Sequence, residues 1–203
     1  MGRLLIATNN AHKVTEFRRL LGACGWALVT PREVGLALDV AEDGTTFAQN
    51  AALKAHAFAK ASGLPALADD SGIEVDALGG RPGVYSARYG GPSLIDAGRV
   101  GLLLQELAGV PDTRRTARYL VVLALALPDG ALRTAEGACE GRIAHRPQGT
   151  GGFGYDPVFF IAQHGCTVGD LSPAQKDAIS HRGQAARAMA FLLRELAAHG
   201  ATA

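Results

Sequence analysis

Apolar runs and amphipathic stretches alternate along this chain in the manner of an α/β protein. Leu4-Leu5-Ile6-Ala7 is an unbroken apolar run, the pattern of a strand buried on both faces, and it ends in the polar stretch Thr8 to Lys13. Val14, Phe17, Leu20 and Leu21 then share one helical face until Gly22 to Gly25 halt the helix before a strand over Trp26 to Thr30. An acidic turn, Ala41 to Thr46, leads into a long helix from Thr45 to Ala61, closed by Ser62-Gly63. Next, Leu64 to Ala68 reads as a short core strand that carries Asp69, Asp70 and Ser71 into a turn at Gly72, after which Ile73 to Asp76 alternates as a second strand. A helix over Leu94 to Leu107 precedes a long hairpin, Thr116 to Leu127 and Ala131 to Ala144, turning at Pro128-Asp129-Gly130. A strand at Val158 to Ile161 follows, then a short helix within Leu171 to Ile179 capped by Ser172 with Pro173 first, and a closing helix roughly from Gln184 to His199.

Composition narrows the function classes. The 203 residues, 48% hydrophobic and without a linker-like stretch, predict one domain over 1–203. Twenty basic against nineteen acidic side chains leave a net charge of +1, which argues against a nucleic-acid partner or a membrane surface. Cys24, Cys139 and Cys166 are odd in number and scattered, a usage that suits a reducing compartment, and no apolar run reaches membrane-spanning length; a cytoplasmic location is expected.

Three segments carry candidate chemistry. The Thr8 to Lys13 loop, between a buried strand and a helix start, offers backbone N–H groups and a favourable dipole for an anion, although Asn9 or Asn10 acting as an ordinary N-cap explains it equally well. At Asp69-Asp70, successive side chains of an extended segment point to opposite faces, so one carboxylate would face a cleft while the other anchors the turn; an Asx turn using both is the alternative. Glu42, together with one of them, would hold a divalent cation that keeps most of its waters. Gly149, Gly151 and Gly154 spell the dinucleotide fingerprint, but Asp156-Pro157 leads into a strand where that fingerprint needs a helix. A flexible loop remains, presenting Phe153, Tyr155 and Asp156 for stacking on a flat base, with Tyr155 or Phe159 the better candidate for a core plug.

Thr8-x-Asn10-x-x-Lys13, Leu64 to Gly72, Pro82 to Arg88, Gly151 to Pro157 and Ser180-His181-Arg182 occur together and in order, and with them the chain resembles the inosine triphosphate pyrophosphatase family. The resemblance implies an elongated mixed sheet flanked by helices, in two lobes with a central active-site cleft. It also implies a homodimer, Mg²⁺ dependence, and conversion of ITP, dITP or XTP to the monophosphate and pyrophosphate. Carried over by position, Thr8, Asn9, Asn10, Ala11, His12, Lys13 and Lys54 would hold phosphates, Glu42 and Asp70 would bind Mg²⁺, and Asp70 would accept a proton. Ser71 would touch the substrate, Phe153 would stack on the base with Gly154, Tyr155 and Asp156 around it, and Lys176, His181 and Arg182 would recognise its polar edge. The chain departs from the family at Ala41-Glu42, where paired glutamates are usual, and at Gln49-Asn50, where Glu-Asn is usual. The second departure is expected to remove a carboxylate that tunes Lys54 or supports the metal. A pyrophosphatase for other modified nucleotides and a nucleotide-binding module without turnover are the rival readings.

Overall fold

Seven strands form one mixed sheet, in the order β2-β1-β3-β4-β5-β6-β7, in the computed structural model, which describes residues 1–198. The strands are β1 (Arg3–Ile6), β2 (Ala27–Val29), β3 (Ala66–Val75), β4 (Thr116–Ala126), β5 (Leu132–Ile143), β6 (Phe159–Ile161) and β7 (Cys166–Thr167). The α-helices are α1 (Ala11–Leu21), α2 (Phe47–Ser62), α3 (Asp96–Glu106), α4 (Pro173–Ile179) and α5 (His181–Ala198). β1 pairs in parallel with both β2 and β3, whereas β6 runs antiparallel to β5 and β7, so the mixed sheet with flanking helices is present as expected. No helix among the described residues is long and apolar enough to cross a membrane.

Two boundaries differ in ways that bear on the site, while α2 begins at Phe47 rather than Thr45 and α3 at Asp96 rather than Leu94. β3 does not turn at Gly72 but runs straight from Ala66 to Val75, through both aspartates. Neither carboxylate is used up in capping its own backbone, because each finds a partner on another element. At the other end of the chain α5 opens at His181 rather than near Gln184, and the expected end at His199 lies outside the described residues.

The chain forms two compact units. The first comprises Met1–Asp70, Val121–Gly137 and the chain from Arg182 onward; the second comprises Ser71–Leu120 and Ala138–His181. The first unit's core takes Leu4 and Ile6 from β1, Leu67 from β3, Val121, Leu123 and Leu125 from β4, Phe17 and Leu21 from α1, and Ala185, Met189 and Leu193 from α5. These strand residues alternate along their strands, so Asp69, two residues beyond Leu67, emerges on the same face. Ala66, Ala68 and Asp70 take the opposite face, and Asn50 of α2 reaches Asp70 there. α2 itself starts at the Thr46 cap, buries Ala51, Ala55 and Phe58, and stops at Gly63, whose left-handed φ of 68° no β-carbon opposes.

The second unit packs Ile73 and Val75 of β3, Leu103 of α3, Ala117 and Tyr119 of β4, Ile143 of β5 and Phe159 of β6 around Tyr155 and Val158. Arg115 is buried there, and its guanidinium donates to the carbonyls of Leu107, Ile143 and Ala144 at 2.9, 2.8 and 3.0 Å. Those carbonyls stand at the end of α3 and the end of β5. Arg115→Ala would strand them in the interior at about 1–3 kcal/mol apiece; a loss of about 3 kcal/mol in urea-unfolding free energy is the expected outcome, and a change below about 0.5 kcal/mol would assign the tie no weight.

Candidate active site

α1 begins where the sequence placed it, and Asn10 is its N-cap: its side-chain oxygen accepts from the amides of His12 and Lys13 at 2.9 and 3.3 Å. Thr8 Oγ1 accepts from the Asn10 amide, and Asn9 Nδ2 donates to the Leu38 carbonyl. The ordinary-cap reading of this loop is therefore correct for Asn10, and two of the helix-start amides expected to face an anion are already bonded. Ala11 and His12 are exposed, while the Lys13 side chain turns inward and keeps 17% exposure.

The inward lysine meets the two aspartates' surroundings. Lys13 Nζ lies 2.9 Å from Asp69 Oδ2, and Arg182 Nη2 lies 3.0 Å from the same oxygen. Arg182 Nη1 also bonds Glu16 Oε2 at 2.7 Å. Burial pushes the Asp69 carboxyl up, but the charges of Lys13, Arg182 and Lys54 together outweigh it and hold the group well below the usual carboxylate range. Asp69 is thus ionised at neutral pH.

Asp70, on the other face, is treated differently. Asn50 Nδ2 donates to its Oδ2 at 3.0 Å, while its Oδ1 stands 3.8 Å from Lys54 Nζ, which pairs more closely with Glu42 Oε1 at 2.5 Å. Burial raises the Asp70 carboxyl; Lys54 and Asn50 oppose this and Glu42 adds to it, and the net direction is upward. The strand therefore carries one carboxylate that does not readily take a proton beside one that does. Across the whole cluster four carboxylates, Glu16, Glu42, Asp69 and Asp70, face three cations, Lys13, Lys54 and Arg182.

Among the described residues no group of three or more His, Cys, Asp or Glu side chains could hold a metal. Glu42 and Asp70 are nonetheless two hard oxygen donors sharing a single lysine, the donor set of an ion that keeps several waters and takes substrate phosphates for the rest. The departure at Gln49 does not weaken this set. Gln49 Oε1 accepts from the Thr45 amide and hydroxyl at 2.8 and 3.0 Å, so this position caps α2 instead of facing Lys54.

The second unit holds the remaining predicted residues. Asp156, buried, accepts from Lys176 Nζ at 2.7 Å, from the Phe153 amide at 2.9 Å and from Tyr119 Oη at 3.2 Å. Its role here is to shape the loop rather than to offer an open edge. Gly152 has a φ of 74°, and a β-carbon there would lie 2.1 Å from Asp156 Oδ2, so only glycine lets the loop close on this carboxylate. Phe153 is half-buried with Lys176 Nζ 4.7 Å from its ring centroid, whereas Tyr155, which bonds the Ser86 carbonyl, and Phe159 are both buried in the core. Gly154 donates to Asp96 at 2.9 Å. The His181 ring stacks on Tyr119 at 4.7 Å and an interplanar angle of 10°. Ser71, the first residue of this unit, is half-buried.

Arg182, expected at a base edge, is 2% exposed, and its terminal nitrogens hold Glu16 and Asp69 at 2.7 and 3.0 Å. Sequence reasoning missed Glu16, Tyr119 and Asp96. Only Glu16 left a signal: it stands three residues after Lys13, on one helical face with it.

Opposite stability effects follow for the two aspartates. Asp69 has a lowered pKa, so its stabilising contribution is present above the ordinary carboxylate range near ~4 and is lost as pH falls through its folded value. Asp69→Asn should cost about 3–5 kcal/mol at neutral pH by leaving buried cations uncompensated, and the gap from wild type should close in acid. Asp70, with a raised pKa, opposes folding when ionised, so Asp70→Asn should melt at or above the wild-type temperature at pH 7. Calorimetry of both variants checks this; equal destabilisation by the two would overturn the assignment of distinct roles.

Comparison with known proteins gives concordant matches. The Ham1 family model matches residues 4–192. A dITP/XTP pyrophosphatase of Desulforamulus reducens is 48% identical over 197 residues, covering 97% of this chain and 98% of that protein. A dITP/XTP pyrophosphatase of Symbiobacterium thermophilum is 50% identical over 199 residues, covering 97% and 95%. Among solved structures, a HAM1 protein from Coxiella burnetii superposes with a TM-score of 0.87 at 40% identity, covering 96% of this chain and all of that one (100%). A nucleoside-triphosphatase from Mycobacterium abscessus, described as a dITP/XTP pyrophosphatase, gives 0.74 at 43%, covering 94% and 98%.

Proposed function

The chain belongs to the Ham1 family, and from that membership we propose that it hydrolyses purine nucleoside triphosphates carrying hypoxanthine or xanthine, namely ITP, dITP and XTP, to the monophosphate and pyrophosphate. The observation that carries the chemistry is the unequal treatment of Asp69 and Asp70: one carboxylate is neutralised by two cations, the other has its pKa raised by burial. A buried carboxylate with a raised pKa is a better proton acceptor than an ordinary one. Asp70 takes a proton from water as the water oxygen bonds the α-phosphorus; the bond from that phosphorus to the bridging oxygen breaks and pyrophosphate leaves.

A triphosphate brings about four negative charges, which a site offsets locally, so the overall +1 is no obstacle. We assign the phosphates to Lys13, Lys54 and the Thr8 to Lys13 loop, where the amides of His12 and Lys13 would exchange Asn10 Oδ1 for a phosphate oxygen. Mg²⁺, held by Glu42 and Asp70, would supply neutralisation of the leaving pyrophosphate. The cytoplasmic homodimer belongs to the same proposal and is supported by the motif resemblance and not by a contact within the chain.

We assign base recognition to the second unit. The Phe153 ring offers a stacking face beside the Lys176 ammonium. Hypoxanthine and xanthine present an acceptor at the 6-position where adenine presents a donor, so a donor such as Lys176 or His181 leaves adenine's amino group unpaired, a strong penalty in a buried site.

Product analysis tests the reading. Purified protein incubated with ITP, XTP, GTP and ATP, with Mg²⁺ or with chelator, should release pyrophosphate and IMP or XMP in the presence of Mg²⁺ and little from ATP or GTP. Orthophosphate, or binding without product, would replace it with a different hydrolase or a nucleotide-binding module. Phe153→Ala removes a stack worth about 1–3 kcal/mol and should raise KM at least about fivefold; an unchanged KM would put the base elsewhere.

A further inference from the structure

Asn50 sits where the two proposed metal-binding carboxylates meet through hydrogen bonds. It is fully buried (0% exposed), its Nδ2 donates to Asp70 Oδ2 at 3.0 Å, and its Oδ1 accepts from the Gly44 amide at 2.8 Å. Gly44 lies two residues after Glu42, on the same turn. One amide therefore ties the turn that carries Glu42 to the strand that carries Asp70. Its orientation is settled by chemistry: the backbone N–H of Gly44 can only donate, so the amide oxygen must face Gly44 and the amide nitrogen must face Asp70.

Gly44 shows independently that this approach is built in. A β-carbon on Gly44 would lie 2.6 Å from Asn50 Oδ1 and 2.8 Å from Gln49 Cβ, so the turn closes on the amide only with glycine at this position. From these contacts we propose that Asn50 is a positioning residue for the hydrolysis, which sets the separation of Glu42 and Asp70 and thereby tunes divalent-ion binding and turnover. The inference rests on the proposed function. The same tie holds the segment that carries Glu42 to the strand that carries Asp70, with Lys54 between the two carboxylates.

Outer partners of metal-binding carboxylates typically change metal affinity or activity about 10–100-fold when removed. Asn50→Ala and Gly44→Ala are to be compared with wild type by Mn²⁺ binding, followed by electron paramagnetic resonance on the protein alone, and by kcat and KM for XTP. Both variants should bind Mn²⁺ at least about tenfold more weakly and lose about tenfold or more in kcat, with KM moved much less. Should Asn50→Ala fail to fold, Gly44→Ala, which removes no side chain of the cluster but pushes on the Asn50 amide, decides alone. Folded variants with Mn²⁺ affinity and kcat within about twofold of wild type would overturn the proposal while leaving the proposed function standing. A wild-type protein that neither binds Mn²⁺ nor releases pyrophosphate would remove the function and the inference together.

Discussion

Two adjacent ionisable groups on a buried strand are the constraint that shapes the first unit. Removing a carboxylate from water costs several kcal/mol unless other charges and hydrogen bonds replace the solvent. Because neighbouring side chains on β3 point to opposite faces, Asp69 and Asp70 cannot share one set of partners. The strand must recruit cations on both sides. On one face α1 supplies Lys13 and α5 supplies Arg182; on the other α2 supplies Asn50 and Lys54. Three helices are thus fixed to one strand by polar contacts in addition to the apolar cluster around Leu67.

The placement of these cations runs against helix electrostatics. Lys13 lies in the first turn of α1 and Arg182 in the first turn of α5, where the macrodipole disfavours positive charge by about 0.3–1 kcal/mol at exposed sites. Carboxylates within 3.0 Å outweigh that penalty. A fold under selection for stability alone would place such side chains at helix ends of the other polarity. Cations gathered at helix starts, where amides and dipole already favour anions, make sense when a polyanion is the ligand.

Much of this was legible in the sequence. Apolar runs gave β1, β3 and β4, Gly63 closed α2, and Ser172-Pro173 opened α4, because each rests on local rules of burial and capping. Period-two alternation also separated Asp69 from Asp70. What local rules could not reach were partners far along the chain. The turn expected at Gly72 came from reading Asp-Asp-Ser-Gly as a loop signature, when the partners that keep it extended are Lys13, Asn50 and Arg182. Likewise Arg182 reads as a surface or base-reading charge until Glu16, 166 positions away, is seen beside it. The interior role of Asp156 was hidden for the same reason: Tyr119 and Lys176 converge on it from different elements.

Position 49 shows why charge must be counted in three dimensions. A glutamine where relatives of this pattern often carry glutamate suggests a site one negative charge short. Yet Gln49 Oε1 faces the start of α2 and accepts from Thr45, a task that a glutamate would perform equally well from the same place. The charge that matters at Lys54 comes from Glu42 and Asp70, and both are present. The pair of carboxylates that converges on Lys54 is therefore a property of the folded chain and does not depend on the substitution, and it offers a divalent ion two hard oxygen donors.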